Sequence, residues 1–274
     1  MRDFDLRTLQ LKELDILKEL DRICKKNDIT YYLAWGSCIG AVRHQGFIPW
    51  DDDIDVCMPM NDFKKFKKIC ATELKSPYFY QDMHTDINSP FSWAKIRNTQ
   101  TCSMIREMAN FPHNWGICID IFPLVELSKP TFTKIDKLLY KTINLCVNKR
   151  LNDYGFGSYG LKTNKMKHIP MWLCIFIRNL CFKIFTRNRR NSKYYYDMSV
   201  LTEAYIFPKE WFKKTIELQF EDQSFTVMEN YDAYLSRAYG DYMKIPEKHE
   251  QVDHGDIIVD FENSYKKYMK VEEK

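Results

Sequence analysis

Hydrophobic and polar positions alternate with a helical period at the start of the chain. Between residues 5 and 26, apolar side chains recur every three or four positions, with lysine, glutamate and aspartate mostly opposite them. This spacing predicts an amphipathic helix. Its apolar stripe consists of Leu6, Leu9, Ile16, Leu17, Leu20, Ile23 and Cys24.

Shorter apolar runs follow and predict strands. Residues 29–35 are rich in β-forming side chains and end at a Gly-Ser pair, which predicts a strand entering a tight turn. A second strand is predicted within residues 47–58, and residues 117–124 form a nearly continuous apolar run. Residues 91–97 and 101–107 are predicted to pair with each other around a polar turn.

The remaining patterns are helical. Residues 39–44 and 62–74 are predicted to form helices, and from about residue 130 the chain is mainly helical. We therefore expect an α/β or α+β fold with a mixed central sheet flanked by helices and a mainly helical C-terminal half.

Three parts of one compact unit are expected from this order of elements. Residues 1–128 would form a catalytic core, and residues 129–210 a basic and apolar helical insertion. Residues 211–274 would form a C-terminal helical part that completes the site.

Composition narrows the class of protein. Of the 274 residues, 45% are apolar and 15% aromatic, which excludes a disordered chain. The net charge of +4 does not indicate nucleic-acid binding. The nine cysteines include no CxxC pair, so neither a zinc ribbon nor a redox dithiol is encoded. Residues 1–5 have no apolar signal core, so a cytoplasmic location is expected.

The candidate chemistry is concentrated in four aspartates, Asp51, Asp52, Asp53 and Asp55. On a strand, Asp53 and Asp55 would share a face about 7 Å apart, joined by Asp51 if the strand extends that far. Such carboxylates repel one another unless a cation lies between them, and oxygen ligands suit Mg²⁺ or Mn²⁺. The alternative is a solvated acidic turn, but the apolar neighbours favour the metal site.

Asp120 is the candidate for a further carboxylate in this site. It is the only charged residue between residues 117 and 122, where an unpaired charge is costly to bury. It would ligate a metal or take the proton from an acceptor hydroxyl. The alternative is an aspartate that caps the turn before Pro123.

Several residues could contact donor phosphates. Gly36 and Ser37 follow a predicted strand and could offer backbone N–H groups and a hydroxyl, although this is not a Walker A loop. The basic candidates are Arg43, His44, Lys95 and Arg97. Each of these alone is more often a solvated surface charge.

The order of strand, Gly-Ser turn, short helix and Asp-x-Asp resembles the nucleotidyltransferase superfamily. Residues 34–55, which read AWGSCIGAVRHQGFIPWDDDID, resemble more specifically the LicD family, to which fukutin and fukutin-related protein are related. The resemblance continues through KIR at 95–97 and WGICIDIFPL at 115–124. It resumes with YDAYL at 231–235 and YGDYM at 239–243, ahead of His254.

The resemblance implies a nucleotidyltransferase-like core and a phosphotransferase. Its donor would be a CDP-alcohol such as CDP-choline, and its acceptor a cell-surface glycan or lipid-linked glycan. Asp52, Asp241 and His254 are accessory or acceptor-site candidates, whereas Val125 stands where family members often carry another aspartate. The residues themselves do not select choline over ribitol or glycerol.

A basic and apolar segment suggests a membrane contact. Residues 154–196 contain nine Lys or Arg and no Asp or Glu. Their apolar centre, residues 171–185, is too short and too interrupted by charge to span a bilayer. It suits a helix in the interface of an anionic membrane, with contact through residues 162–193 at the inner face. The alternative is a core helix with solvated basic ends.

Two other functions compete with the phosphotransferase. One is a catalytically inactive relative that binds glycan or nucleotide, although such a module has no need of a repulsive acid cluster. The other is a nucleotidyltransferase that acts on a sugar or RNA, because attack at either donor phosphorus would use the same metals.

Overall fold

The fold is seen in a computed structural model, which describes residues 3–156, 168–251 and 255–269. The first helix, α1, spans Leu6–Lys26. The Asp5 side chain caps it by accepting hydrogen bonds from the backbone N–H groups of Arg7 and Thr8. Its apolar stripe is buried against the sheet, which confirms the amphipathic helix.

A seven-stranded mixed sheet forms the centre of the molecule. Its main order is β1-β2-β6-β4-β3, and β7 joins β6 to β8. Strands β2 and β6 are parallel, while the other pairs are antiparallel. The expected mixed sheet with flanking helices is thus confirmed. The seven strands are β1 Tyr32–Leu33, β2 Asp55–Pro59, β3 Tyr78–Gln81, β4 Ala94–Asn98, β6 Ile117–Leu127, β7 Tyr194–Asp197 and β8 Ile206–Pro208.

Two small two-stranded sheets accompany the central one. They are formed by β5 Cys102–Ile105 with β11 Ile257–Asp260, and by β9 Thr215–Phe220 with β10 Gln223–Met228. The other α-helices are α2 Trp35–Ile39, α3 Met60–Glu73, α4 Lys134–Asp153, α5 Met171–Phe185 and α6 Tyr231–Tyr239. A π-helical turn, Gly40–His44, continues α2. Short 3-10 turns lie at Arg106–Met108, Glu203–Tyr205, Lys209–Phe212, Lys248–Glu250 and Tyr265–Lys267.

Two predictions about strands were wrong. Strands β4 and β5 do not pair with each other, because β4 lies between β3 and β6 while β5 pairs with β11. An alternating pattern identifies a strand but not its partner, and β11 is far away in sequence. The second strand begins only at Asp55, so residues 51–54 precede it in irregular backbone.

The prediction of a mainly helical C-terminal half is confirmed for α4 and α5 but is wrong after them. Between residues 194 and 260, leaving aside 252–254, the described chain forms five strands and one nine-residue α-helix, α6. The described residues of the part 211–274 are therefore not mainly helical, contrary to the prediction. In β9, the side chains of Thr215, Glu217 and Gln219 are exposed between more buried ones, which is the two-residue period of a strand.

One hydrophobic core includes side chains from all three predicted parts of the chain, among them Ile121, Phe185 and Phe225. The boundaries of the parts stay predictions. None of the helices described here is long and apolar enough to cross a membrane.

Candidate active site

The centre of the site is set by the pairing of two parallel strands. Asp55 is the first residue of β2, and its partner in register on β6 is Asp120. Register partners on neighbouring strands point to the same face, about 5 Å apart. The Asp120 backbone N–H also donates to the Ile54 carbonyl, at 2.8 Å. Asp120 lies inside an eleven-residue strand, so it does not cap a turn before Pro123.

Lys95 lies on the other side of Asp120. The antiparallel pairing of β4 with β6 places these two residues in register, and Lys95 Nζ forms an ion pair with Asp120 Oδ1. Nζ also lies 4.6 Å from the centre of the Phe91 ring. Burial alone would lower the pKa of Lys95, but Asp120 outweighs it and the pKa is raised. Lys95 is therefore a cation inside the site.

The other aspartates approach from the segment before β2. A Cβ atom on Gly36 would lie 2.7 Å from Asp51 Oδ2, so any other residue there would displace this carboxylate. The pKa of Asp55 is raised well above its ordinary value, first by burial and then by Asp53, Asp120 and Asp51. Asp51, Asp53, Asp55 and Asp120 are therefore brought together, and Asp52 is buried beside them.

Sequence reasoning missed a further carboxyl group beside this cluster. Glu13 lies on the buried face of α1 and is only 3% exposed. Burial raises its pKa, followed by the charges of Asp53, Cys118, Asp52 and Asp51. Its Oε2 atom has no hydrogen-bond partner among the described residues. A signal was present, because an acid at position 13 interrupts the apolar stripe of the helix.

Ser37 fixes the position of Asp55. Its Oγ atom accepts a hydrogen bond from the Asp55 backbone N–H at 2.8 Å, and the side chain is buried. Trp35, two residues before Ser37, has a φ of +47°, a left-handed conformation rare for a bulky side chain. Phosphate binding by Gly36 and Ser37 stays a prediction, while the structure assigns Ser37 a supporting contact.

Arg43 and Arg97 are already bound to backbone carbonyls. Arg43 donates to the Tyr242 carbonyl at 2.5 Å and to His44 Nε2 at 2.9 Å. The buried Arg97 donates to Gln81 Oε1 at 2.6 Å and to the Gly116 carbonyl at 2.7 Å. These contacts hold the fold together, and phosphate binding by Arg43, His44 and Arg97 stays a prediction. Asp241 is exposed after α6, and His254 lies outside the described residues.

Aromatic rings adjoin the carboxylates, which the sequence did not reveal. The ring centres of Trp35 and Tyr239 are 6.2 Å apart, and those of Trp35 and Tyr205 are 4.4 Å apart. The pKa of Tyr239 is raised by burial first and then by Asp55. Tyr239 is nevertheless 48% exposed, so part of its ring remains accessible.

The donor set fits a hard divalent cation. All the candidate ligands are carboxylate oxygens, and their mutual repulsion adds to burial in raising the pKa of Asp55. As the side chains stand, no three Asp, Glu, His or Cys groups in the described ranges converge closely enough to hold a metal. Asp120 is engaged with Lys95 instead, so a metal that used it would have to share or displace that ion pair.

Comparison with known proteins agrees with this geometry. The family pattern described as LicD/FKTN/FKRP, nucleotidyltransferase domain, matches residues 28–149, which include Asp55, Lys95 and Asp120. The lipopolysaccharide cholinephosphotransferase LicD of Haemophilus influenzae is 29% identical to this chain. The alignment covers 93% of this chain and 97% of that relative. The chain belongs to the LicD family. It is accordingly a transferase.

Two shorter similarities involve uncharacterized proteins. One, from Rickettsia typhi, is 41% identical over 54 residues, which is 20% of this chain and 18% of that protein. The other, from Rickettsia prowazekii, is 46% identical over 41 residues, or 15% of each chain. Because both proteins are uncharacterized, these short matches indicate no function.

Proposed function

We propose that this LicD family protein transfers phosphocholine from CDP-choline to a sugar of a lipopolysaccharide or related cell-surface glycan precursor. The observation that carries the proposal is the row Asp55, Asp120 and Lys95 across three neighbouring strands. It lies within a chain that resembles a lipopolysaccharide cholinephosphotransferase along nearly its whole length.

Asp53, Asp55 and Asp120 would hold Mg²⁺ or Mn²⁺, with Asp51 or Asp52 contributing. When bound, such an ion neutralises charge on the donor phosphates. Lys95 forms an ion pair with Asp120 and places a buried positive charge in the same site. Ser37 holds the backbone of Asp55 in place.

The reaction requires one proton transfer and one substitution at phosphorus. An acceptor hydroxyl oxygen would bond to the phosphorus that carries choline, and the bond from that phosphorus to the bridging oxygen would break and release CMP. As the alternative to ligating the metal, the Asp120 side chain would receive the hydroxyl proton. The proton and the departing phosphate charge are then both accounted for.

Choline as the donor alcohol is supported by the exposed ring of Tyr239. It lies next to Trp35 and close to Asp55. Aromatic faces attract quaternary ammonium groups, and nearby carboxylates strengthen that attraction. Ribitol and glycerol carry no positive charge and would gain less from this arrangement.

Peripheral contact with the inner membrane face is part of the proposal. On α5, Trp172, Phe176 and Leu180 are exposed, whereas Cys174 and Phe185 are buried. One face of α5 is therefore buried as a core helix would be, and the other is exposed as a helix in a membrane interface would be. Within the segment 162–193, residues 162–167 lie outside the described residues. The described residues that would make the contact belong to α5 and to 187–193.

The direct test uses CDP-choline labelled in both phosphates and in choline. CMP release together with labelled acceptor supports phosphocholine transfer. In a parallel assay with CTP as the donor, release of pyrophosphate would indicate nucleotidyl transfer instead.

Asp55→Asn should lower turnover at least about a hundredfold with the fold retained. Asp15→Asn, an exposed change on α1, is the matched control and should leave turnover unchanged. Near-normal turnover by Asp55→Asn, with trace metals removed by chelation and only Mg²⁺ restored, would contradict the metal-site assignment.

A further inference from the structure

A cavity lies away from the active-site carboxylates, between α3, α5 and the segment 82–93. Its volume is about 460 Å³, within the range of roughly 300 to 1,000 Å³ typical of small-molecule sites. Its walls are mostly apolar and include Met60, Phe63, Met83, Trp93 and Phe182. None of the aspartates of the active site, nor Glu13 or Lys95, lines it.

The cavity is connected to the active site through neighbouring aromatic rings that are tilted against one another. The centre of the Trp93 ring is 5.3 Å from that of Phe122, which lies two residues after Asp120 on β6. It is also 4.9 Å from the centre of the Phe91 ring, over which Lys95 Nζ lies. A molecule in the cavity would thus be adjacent to the wall of the catalytic site without entering it.

The polar part of the lining is positively charged. Lys64, Lys67 and Lys183 line the cavity, and Asp82 is the acid among its lining residues. Asp82 is already paired with Lys67. The pKa of His84 is lowered, first by burial and then by Lys67, so the positive charge of the lining comes from the lysines and not from this ring. Lys64 and Lys183 are exposed and remain available for an anion.

The mouth of the cavity opens beside an exposed apolar surface. Phe176 and Leu180 line the cavity although they are 59% and 45% exposed. Trp172 and Ile184 continue this row along α5 at four-residue intervals and are also exposed. An apolar interior, an apolar mouth and flanking lysines together match one kind of molecule, a hydrocarbon chain that ends in an anionic group.

We propose that this cavity binds one acyl chain of an anionic membrane lipid. The chain would occupy the space between Phe63, Met83 and Phe182, and the headgroup would lie beside Lys64 and Lys183. This site is separate from the transfer reaction, because its lining contains none of the residues assigned to catalysis. It does not depend on whether the donor is CDP-choline.

Calorimetric titration with a single-chain lipid, below its micelle concentration, tests the proposal on the full chain. Palmitoyl-lysophosphatidylglycerol should bind saturably with about one lipid per protein. The zwitterionic palmitoyl-lysophosphatidylcholine should bind at least tenfold more weakly. The double variant Lys64→Gln/Lys183→Gln should remove that preference. Equal binding of both lipids by the wild type, or an unchanged preference in the double variant, overturns the assignment of an anionic lipid.

Two variants on α5 separate the cavity from the helix surface. Leu180→Asp places a charge at the mouth and should weaken lysolipid binding at least tenfold. Trp172→Ser removes a more exposed side chain that does not line the cavity and should leave that binding unchanged. Melting curves verify that both variants are folded, and CMP release with a soluble acceptor should persist in both. Undiminished lysolipid binding by folded Leu180→Asp, or no saturable binding by the wild type, overturns the proposal but leaves the proposed reaction untouched.

Discussion

Lys95 and Asp120 form an ion pair across the β4–β6 pairing, one strand away from Asp55. The pair links two residues for which the sequence predicts different roles. Lys95 is predicted to contact the donor phosphates, and Asp120 to bind the metal. Because both groups are largely buried, neither can lose its partner without cost. This relationship changes what a substitution at either position should do.

The ion pair leads to a prediction about rescue. Asp120→Asn should abolish turnover and also destabilise the fold by about 3 kcal/mol, because it leaves the buried Lys95 charge unpaired. Adding Lys95→Met should restore most of the lost stability without restoring activity. Chemical unfolding and CMP release, measured on the single and double variants, test this. A double variant that is no more stable than Asp120→Asn would show that the ion pair does not have the energetic role assigned here.

The fold was predictable where a pattern is local. The stripe of α1 and the apolar run of β6 were sufficient to identify these elements. The pairing of β5 with β11 was not, because alternation does not identify a partner. The alternation in β9 was visible but was missed next to the helical segments before it.

The residues of the site, too, were predictable only where the sequence pattern is local. Asp120 was recognised from its apolar neighbours, yet its cation, Lys95, was identified only by the strand register. Glu13 and Tyr239 reach the cluster from helices near opposite ends of the chain. Such contacts depend on the packing of whole elements, which no single segment encodes.

Glu13 should make stability depend on pH. Because its pKa is raised in the folded state, the folded protein keeps this proton to a higher pH than the unfolded chain does. The free energy of unfolding therefore falls as the pH rises above the ordinary value of 4.5. Glu13→Gln has nearly the same shape and cannot ionise, so it should remove this loss.

Melting temperatures measured with chelator at about pH 5 and about pH 8 test this. The variant should resemble the wild type at the lower pH and be the more stable of the two at the higher pH. Asp15→Asn, on the exposed face of the same helix, serves as the control and should show no such divergence. If Glu13→Gln runs parallel to the wild type at every pH, the carboxyl group is not buried in the charged environment described here.

Tyr239 should contribute to binding of the donor. Tyr239→Ala removes the aromatic face and should raise the KM for CDP-choline about fivefold, or about 1 kcal/mol, with a smaller effect on kcat. Tyr239→Phe keeps the ring and should behave like the wild type. Competition by free choline separates ring contact with the ammonium group from a general disturbance of the site. Equal KM values for the alanine and phenylalanine variants would remove the support that Tyr239 gives to choline as the donor alcohol.

Membrane contact can be tested by changing the exposed basic residues that follow α5. Arg189 pairs with the buried Asp136, so its loss would disturb the fold and should not be included. Arg187 and Arg190 are exposed, and changing both to Gln should weaken binding to anionic vesicles at low salt. Two cations near an anionic surface contribute about 2 kcal/mol, or about a thirtyfold change in partitioning.

The matched control for that experiment removes the same amount of charge elsewhere, by changing the exposed Lys213 and Lys214 to Gln. Sedimentation with anionic and with neutral vesicles, each at low and high salt, gives the readout. The wild type and the control should sediment with anionic vesicles at low salt and be released by high salt, because screening shortens the range of the attraction. Trp172→Ser should also weaken sedimentation with anionic vesicles at low salt, through lost apolar insertion. If the wild type stays in the supernatant with anionic vesicles at low salt, the exposed face of α5 does not bind membranes and the peripheral location fails.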